Sequence, residues 1–231
     1  LAPQDLRIEK EMLEKEFFDL VDKEGVASIE ELNKILDKSV RLKNVLKSKD
    51  RIDTICKHIA KHFKESVEPL GFKAFIVAVD REGCALYKQT IDKYLPKEYS
   101  KVVFTQTQRD TALLRKYHIS EDDEKNTKKA FKSADKLPKI LIVTEKLLTG
   151  FNAPILYCMY LDKPMKDHTL LQAIARVNRP YEDEGLKKPS GFVLDFVGIF
   201  EKLEKALAFD SDVVGSVIQN IGVLKEVFIS F

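Results

Sequence analysis

The stretch "KILIVT", residues 139–144, decides the fold of this 231-residue chain. Four apolar residues follow one another in it, so both faces of a strand formed here would be buried. Such strands are typical of parallel sheets that helices cover on both sides, whereas a strand with one wet face alternates apolar and polar residues. The stretch therefore predicts a central strand of an α/β domain.

Similar apolar runs occur on either side of this stretch, and segments with helical spacing separate them. Further strands are predicted at 73–79, 101–106, 155–161 and 190–196, and helices at 82–95, 120–133, 168–178 and 198–208. Strands that alternate with helices predict an α/β fold with a mostly parallel sheet of about five strands. We assign this domain to residues 69–209.

The residues on either side of the domain carry no strong strand signal. Residues 1–68 have helical apolar spacing throughout, and one predicted helix has Asp50 as its N-cap. Its apolar stripe consists of Ile52, Ile55, Ile59 and Phe63. We predict an N-terminal helical segment at 1–68, which either packs on the domain or bridges it to another one. Residues 210–231 are predicted to start a further helical region.

The composition excludes several classes of protein. With 39 basic and 37 acidic residues the chain is neither a polyanion nor a histone-like polycation, although a local basic patch stays possible. Three scattered cysteines indicate a reducing compartment. Cys56, His58 and His62 lack a second ligand cluster, so we interpret them as a solvated helix face and predict no metal site. No apolar run approaches a membrane span, and we expect a cytoplasmic piece of a longer protein.

The segment "LLQAIARVNRP", residues 170–180, predicts an amphipathic helix with a narrow cationic side. Its apolar face carries Leu170, Ile174 and Val177. Gln172, Arg176 and Arg179 fall within an arc of about 60° on the opposite side. Helix geometry alone leaves two interpretations open: a solvated face, or a pair of guanidinium groups directed at phosphate.

The loop "TEKLLTGFNAP", residues 144–154, follows the central strand at the edge where parallel sheets bind ligands. Thr144 and Glu145 lie at the strand exit, and Gly150 permits close approach of another group to the backbone. Asn152 offers both a donor and an acceptor. A plain turn between strand and helix is the alternative interpretation.

Together these two segments resemble motifs V and VI of superfamily 2 helicases and translocases. More closely, "ILIVTEKLLTGFNAPILYCMYLDKPMKDHTLLQAIARVNRPY" (140–181) is similar to the motor segment of the type I restriction enzyme R subunit. "GFKAFIVAVDREGCALYKQTIDKYLP" (71–96) is similar to motif IV of that family, and "GFVLDFVGIF" (191–200) to its following strand. The resemblance covers about residues 50 to 205, most of the chain.

The resemblance implies a RecA-like three-layer domain, the second lobe of a motor that binds ATP between two lobes. Arg179 matches the arginine finger that stabilises charge at the γ-phosphate, and Arg176 matches its partner arginine. Gln172 matches the polar residue that opens motif VI. Gly150 and Asn152 match positions near the ribose, although Asn152 stands where the family usually has Asp.

The same resemblance implies contacts with the backbone of double-stranded DNA. The matching positions are Asp80, Arg81, Thr105, Gln106, Thr144 and Glu145. Contacts with phosphates suit a translocase because movement must ignore sequence. Four lysines nearby, Lys163, Lys166, Lys187 and Lys188, are interpreted as surface residues, with added charge for DNA as the alternative.

The parts of a complete motor that the chain lacks define the expected partners. None of its nine glycines precedes a lysine, so no phosphate-binding Gly-Lys-Ser/Thr loop is present. ATP and Mg²⁺ are therefore expected to be held mainly by the missing first lobe. This piece alone is expected to bind neither of them. The implied partners are that lobe, the nuclease domain, and the methyltransferase and specificity subunits. Alternatives are a non-catalytic helicase-like module that binds DNA or protein, and the second lobe of another superfamily 2 helicase.

Overall fold

The structure is a computed structural model that describes residues 43–165, 167–183 and 185–197. These residues belong to one compact unit, Leu1–Val197. The predicted helix at 198–208, the region 210–231 and residues 1–42 of the N-terminal segment lie outside the described residues. The predicted boundaries at 68/69 and 209/210 stay predictions.

A five-stranded parallel sheet forms the centre of the lobe. Its strands are β1 (Lys73–Ala78), β2 (Ser100–Val103), β3 (Ile140–Val143), β4 (Leu156–Asp162) and β7 (Phe192–Asp195), in the order β2-β3-β1-β4-β7. Every neighbouring pair is parallel. All residues of β1 and β3 are buried. The sheet predicted from continuous apolar runs is thus confirmed, strand by strand.

Helices connect the strands and cover the sheet. They are α1 (Lys49–His62), α2 (Arg81–Ile91), α3 (Ala112–Arg115), α4 (Glu121–Phe131) and α5 (Asp167–Val177). A small antiparallel hairpin, β5 (Glu182–Asp183) and β6 (Leu186–Lys187), precedes the last strand. The sequence analysis missed this hairpin, because two-residue strands are too short to show a period of two.

Side-chain caps fix where several helices begin. Asp80 accepts a hydrogen bond from the Gly83 backbone at 2.7 Å, and Ser120 accepts one from Asp123 at 3.0 Å. Both Asp and Ser are among the residues preferred at the N-cap position, because their side-chain oxygens can accept from a free backbone N–H of the first turn. Asp50 as the N-cap of α1 is wrong: the helix begins at Lys49, and Asp50 lies in its first turn. A carboxylate there still interacts favourably with the positive end of the helix dipole.

The helix α1 is part of the lobe. The predicted stripe is buried, and Ile52, Ile55 and Ile59 share one hydrophobic core with residues of β1 and β4. The side chain of Arg51 joins the same helix to Asp162, at the carboxyl end of β4. The described part of the N-terminal segment therefore packs on the sheet.

The surface interpretation of Cys56, His58 and His62 is wrong. Cys56 is fully buried, and His62 packs between helix and sheet, with its Nδ1 2.8 Å from the hydroxyl of Tyr160. The buried face of α1 is wider than the predicted stripe, so it also includes these neighbouring side chains. No group of metal-ligating side chains forms among the described residues. Within the same residues, no helix has the length and apolar character needed to cross a bilayer.

Lys73, the first residue of β1, is a buried cation at the amino edge of the sheet. Its ammonium donates to the carbonyls of Ala130 at 3.1 Å and Lys136 at 2.6 Å, so it caps the end of α4. Burial lowers the pKa of Lys73 to about 7, and the nearby charge of Lys139 acts in the same direction.

We expect this shift to make stability depend on pH. Between about pH 7 and the ordinary lysine value of about 10.4, the unfolded chain holds a proton that folded Lys73 has lost. The free energy of unfolding should therefore rise with pH across this window in urea titrations, and Lys73→Met should flatten the rise. Equal pH dependence of the variant and the parent sequence would contradict the assignment.

Candidate functional site

Parallel strands bring several loops to one edge of the sheet, at their carboxyl ends. The loop after β3, residues 144–155, is the longest of these and is called the β3 loop. The loop after β2, residues 104–111, lies at the same edge and is called the β2 loop. The end of α5 meets the β3 loop, so the two motif-bearing segments of the sequence are neighbours in space.

The β3 loop has an unusual backbone. Leu147 has a φ of 74° although it is not glycine, and it lies in a turn closed by a 3.0 Å hydrogen bond from Leu148 to Glu145. Such a left-handed residue is strained and persists where packing fixes it, here through burial of its side chain. Gly150 is also left-handed, with a φ of 73°, and a Cβ there would meet no atom within 4 Å. The backbone at Gly150 is therefore open to approach from outside this lobe.

Arg176 lies beneath the β3 loop. Its Nε donates to the Leu148 carbonyl at 2.7 Å, and its Nη1 donates to the Phe151 carbonyl. Burial lowers the pKa of its guanidinium, and the charge of Arg179 acts in the same direction. The sequence predicted that Arg176 and Gln172 share one polar side of the helix. Gln172 is exposed, but Arg176 is buried because the β3 loop covers it. A helical wheel gives the direction of a side chain and cannot show what covers it.

Arg179 lies two residues beyond the end of α5 and is exposed. Its Nη1 donates to Oδ1 of Asn152 at 2.5 Å, across the open side of the β3 loop. No carboxylate of the described residues forms an ion pair with it. Among the described residues, a neutral side chain therefore holds Arg179, and no carboxylate compensates its positive charge.

The predicted DNA-contacting residues divide into two groups. Asp80 caps α2 and pairs with Lys47 at 3.2 Å, while Arg81 donates to Asp110 at 2.5 Å and to the Thr105 carbonyl at 3.1 Å. Gln106 donates to the Ile119 carbonyl at 2.7 Å. These three side chains are engaged within the lobe. Those of Thr105 and Glu145 are exposed, and that of Thr144 is half-buried.

Asp110 organises the β2 loop, and the sequence analysis did not single it out. Its buried carboxylate accepts from the Thr107 hydroxyl at 2.5 Å, the Thr107 backbone at 3.1 Å and His118 at 2.8 Å, besides Arg81. The Thr107 hydroxyl and the other donors hold its pKa well below the usual range. Thr followed three residues later by an acidic residue is the pattern of a capping box, and this was the available signal.

The lysines interpreted as surface residues behave differently from one another. Lys163 forms an ion pair with Glu145 at 2.8 Å. Lys187 is 76% exposed, as both the surface interpretation and its alternative require. Lys188 is 6% exposed, so that interpretation is wrong for this residue. Its ammonium donates hydrogen bonds to backbone carbonyls inside the lobe. Lys166 lies outside the described residues.

The arrangement suits recognition of a phosphate group presented by another polypeptide. A guanidinium with a free charge stands beside an open glycine backbone, and Arg is the side chain whose donors match phosphate oxygens. The fold and this edge of the sheet together define the class: an α/β lobe of the RecA-like type with an exposed arginine at the carboxyl ends of its strands.

The family follows from comparison with known proteins. The family model described as "Type I restriction enzyme subunit R domain 3" matches residues 24–198, and the chain belongs to this family. The protein named type I restriction enzyme MjaVIIP endonuclease subunit, of Methanocaldococcus jannaschii, is 38% identical over 84% of this chain and 19% of its own length. The HindI endonuclease subunit of Haemophilus influenzae is 35% identical over 73% of this chain and 17% of its own length.

A solved structure supports the same fold. It is a fragment assigned to an HsdR subunit of a type I restriction enzyme from Vibrio vulnificus, with a TM-score of 0.55 and 17% identity. The match covers 70% of this chain and 29% of that one. The chain thus spans about a fifth of the length of the curated relatives it matches.

Proposed function

We propose that the chain is the second motor lobe of a type I restriction R subunit that translocates DNA with ATP and cleaves it. In this proposal the lobe supplies the motif IV–VI side of the ATP site and of the DNA-backbone site. The single observation that carries the proposal is the exposed guanidinium of Arg179, held by neutral Asn152 beside Gly150. An ion-paired or enclosed arginine could not serve a phosphate on another lobe.

In the nucleotide site, Arg179 is the residue proposed to act on the reacting phosphate. Fixed positive charge aimed at the γ-phosphate stabilises the charge that develops in the transition state. ATP and Mg²⁺ are held mainly by the first lobe, while Gly150, Asn152 and Gln172 face the nucleotide. Arg176 supports the same site by fixing the β3 loop through the carbonyls of Leu148 and Phe151.

The proposed DNA contacts lie on the same edge. Thr105, Thr144 and Glu145 are the residues proposed to contact the DNA backbone, and Asp80, Arg81 and Gln106 are proposed to hold the loops in shape. The duplex, the first lobe and nuclease domain, and the methyltransferase and specificity subunits are the proposed partners. The proposed location is the cytoplasm, which fits three free, buried cysteines.

The isolated chain should show no ATP hydrolysis, because it has an arginine for the transition state but no phosphate-binding loop. The complete protein should hydrolyse ATP when duplex DNA is added. Phosphate release measured for both proteins, with and without DNA, tests the proposal. Turnover by the isolated chain would contradict it, and so would a complete protein that stays inactive with DNA.

The alternative is a helicase-like module that binds DNA or protein without catalysis. Asn152 favours it, since the family usually has an acid at this position. Such a module would bind duplex DNA in the complete protein while ATP hydrolysis stayed at background. The family match to R subunits favours the motor over a lobe from another superfamily 2 helicase.

A further inference from the structure

The end of α5 determines where Arg179 lies. The helix ends at Val177, and Arg179 follows on a segment outside the helix. The last carbonyls of a helix have no partners within it, so its end is held only if other groups bind them. Any group that binds the Val177 carbonyl therefore acts on the position of Arg179 two residues later.

Lys188 is that group. Its ammonium donates to the Val177 carbonyl at 2.9 Å, to the Pro154 carbonyl at 2.5 Å and to the Leu156 carbonyl at 3.0 Å. A lysine ammonium has three donors, and all three are used. One side chain thus joins the end of α5 to the end of the β3 loop and the start of β4.

The buried position of Lys188 is costly, which separates it from a surface lysine. Its side chain ends inside the lobe, and no carboxylate of the described part of the chain pairs with it. A buried cation needs hydrogen-bonding partners to offset lost hydration, and here backbone carbonyls supply them. An apolar side chain of equal length would fill the space but leave these carbonyls without donors.

The chain that follows Lys188 holds the same helix end from another side. The Gly191 backbone donates to Oδ1 of Asn178 at 2.9 Å. A Cβ on Gly191 would lie 2.4 Å from the carbonyl carbon and oxygen of Val177, so the two backbones are in direct contact. Val177 and Asn178, the two residues that precede Arg179, therefore have little freedom.

We propose that Lys188 is a positioning residue that sets the distance between Arg179 and the β3 loop. The inference rests on the proposed function, because it assigns Lys188 a role through Arg179. Lys188 does not touch the nucleotide. Lys188 holds the Val177 carbonyl close to the Pro154 carbonyl. The guanidinium of Arg179, two residues after Val177, then meets the phosphate in one geometry.

The test uses DNA-stimulated ATP hydrolysis by the complete protein. Lys188→Met should lower kcat by about 10- to 10²-fold, as expected for a small misplacement of a catalytic group, with KM for ATP little changed. Lys187→Met is the matched control: it removes an exposed neighbouring lysine whose partner, Glu182, is 4.0 Å away, and should leave kcat unchanged. Lys188→Gln, which keeps amide donors, should lie between the two.

A second arm combines Lys188→Met with Arg179→Ala. If Lys188 acts through Arg179, the double variant should be no slower than Arg179→Ala alone, whereas general damage to the lobe would add a further loss. Circular dichroism at the assay temperature checks folding, and Lys188→Gln carries the test if Lys188→Met is unfolded.

The outcomes separate the two proposals. Unimpaired hydrolysis by Arg179→Ala would overturn the proposed function. Suppose instead that Arg179→Ala impairs hydrolysis. The positioning role alone would then be overturned if the Lys188 variants hydrolyse ATP normally, or if the losses from Lys188→Met and Arg179→Ala add in the double variant.

Discussion

Arg179→Ala in the complete protein should reduce DNA-stimulated ATP hydrolysis by about 10³-fold or more. This is the size of the rate loss expected when an arginine finger is removed. Arg179 carries an uncompensated charge at the open edge, and its only described partner is the neutral side chain of Asn152. ATP and DNA should still bind, because the phosphates and the duplex make most of their contacts elsewhere. The loss should appear in kcat, measured by phosphate release at saturating ATP.

Two further variants sharpen this result. Arg179→Lys keeps the charge but loses the planar fork of donors, so its rate should be intermediate. Arg115→Ala removes an exposed arginine on α3 and should leave the rate unchanged. Wild-type hydrolysis by Arg179→Ala would show that Arg179 is an ordinary surface residue.

The largest effect on stability is expected for Asp162→Ala. Asp162 is buried at the end of β4 and binds Arg51 through both carboxylate oxygens, at 2.5 and 2.7 Å, while Tyr87 donates to it at 2.7 Å. Removing one partner of a buried pair leaves the other charge uncompensated, so we expect a loss of about 3–5 kcal/mol. Urea unfolding followed by circular dichroism measures the loss.

Asp53→Ala is the matched control for this prediction. Asp53 also lies on α1 and contacts Lys57, Lys93 and Tyr94, but it is half-buried and both of its lysine partners are exposed. Solvent-exposed pairs contribute little, so its removal should be clearly milder. Equal effects of the two substitutions would show that Asp162 does not anchor α1 to the sheet.

The strands were predictable because burial on both faces leaves a direct trace in the sequence. A run of four apolar residues such as Ile140–Val143 is typical of a strand buried on both faces. The central strand and its parallel partners could therefore be predicted. The ends of elements were less accurate. The helix α1 begins at Lys49, one residue before the predicted cap Asp50, and the residue at its N-cap position, Ser48, makes no side-chain cap hydrogen bond.

The candidate site was predictable only in part. The spacing of Arg176 and Arg179 gave a shared helix side, but one is covered by the β3 loop and the other is exposed. Lys188 looked like its neighbour Lys187, because local sequence does not reveal three carbonyls from distant segments. Contacts of this kind depend on how segments far apart in sequence meet, and no periodicity encodes them.

The most direct test of the account is a structure of the complete protein with duplex DNA and a non-hydrolysable ATP analogue. The account predicts that the guanidinium of Arg179 leaves Asn152 and lies about 2.7–2.9 Å from an oxygen of the γ-phosphate, the range of charge-assisted hydrogen bonds. A nucleotide bound between the lobes with Arg179 still on Asn152, and the γ-phosphate contacted only by the other lobe, would contradict it.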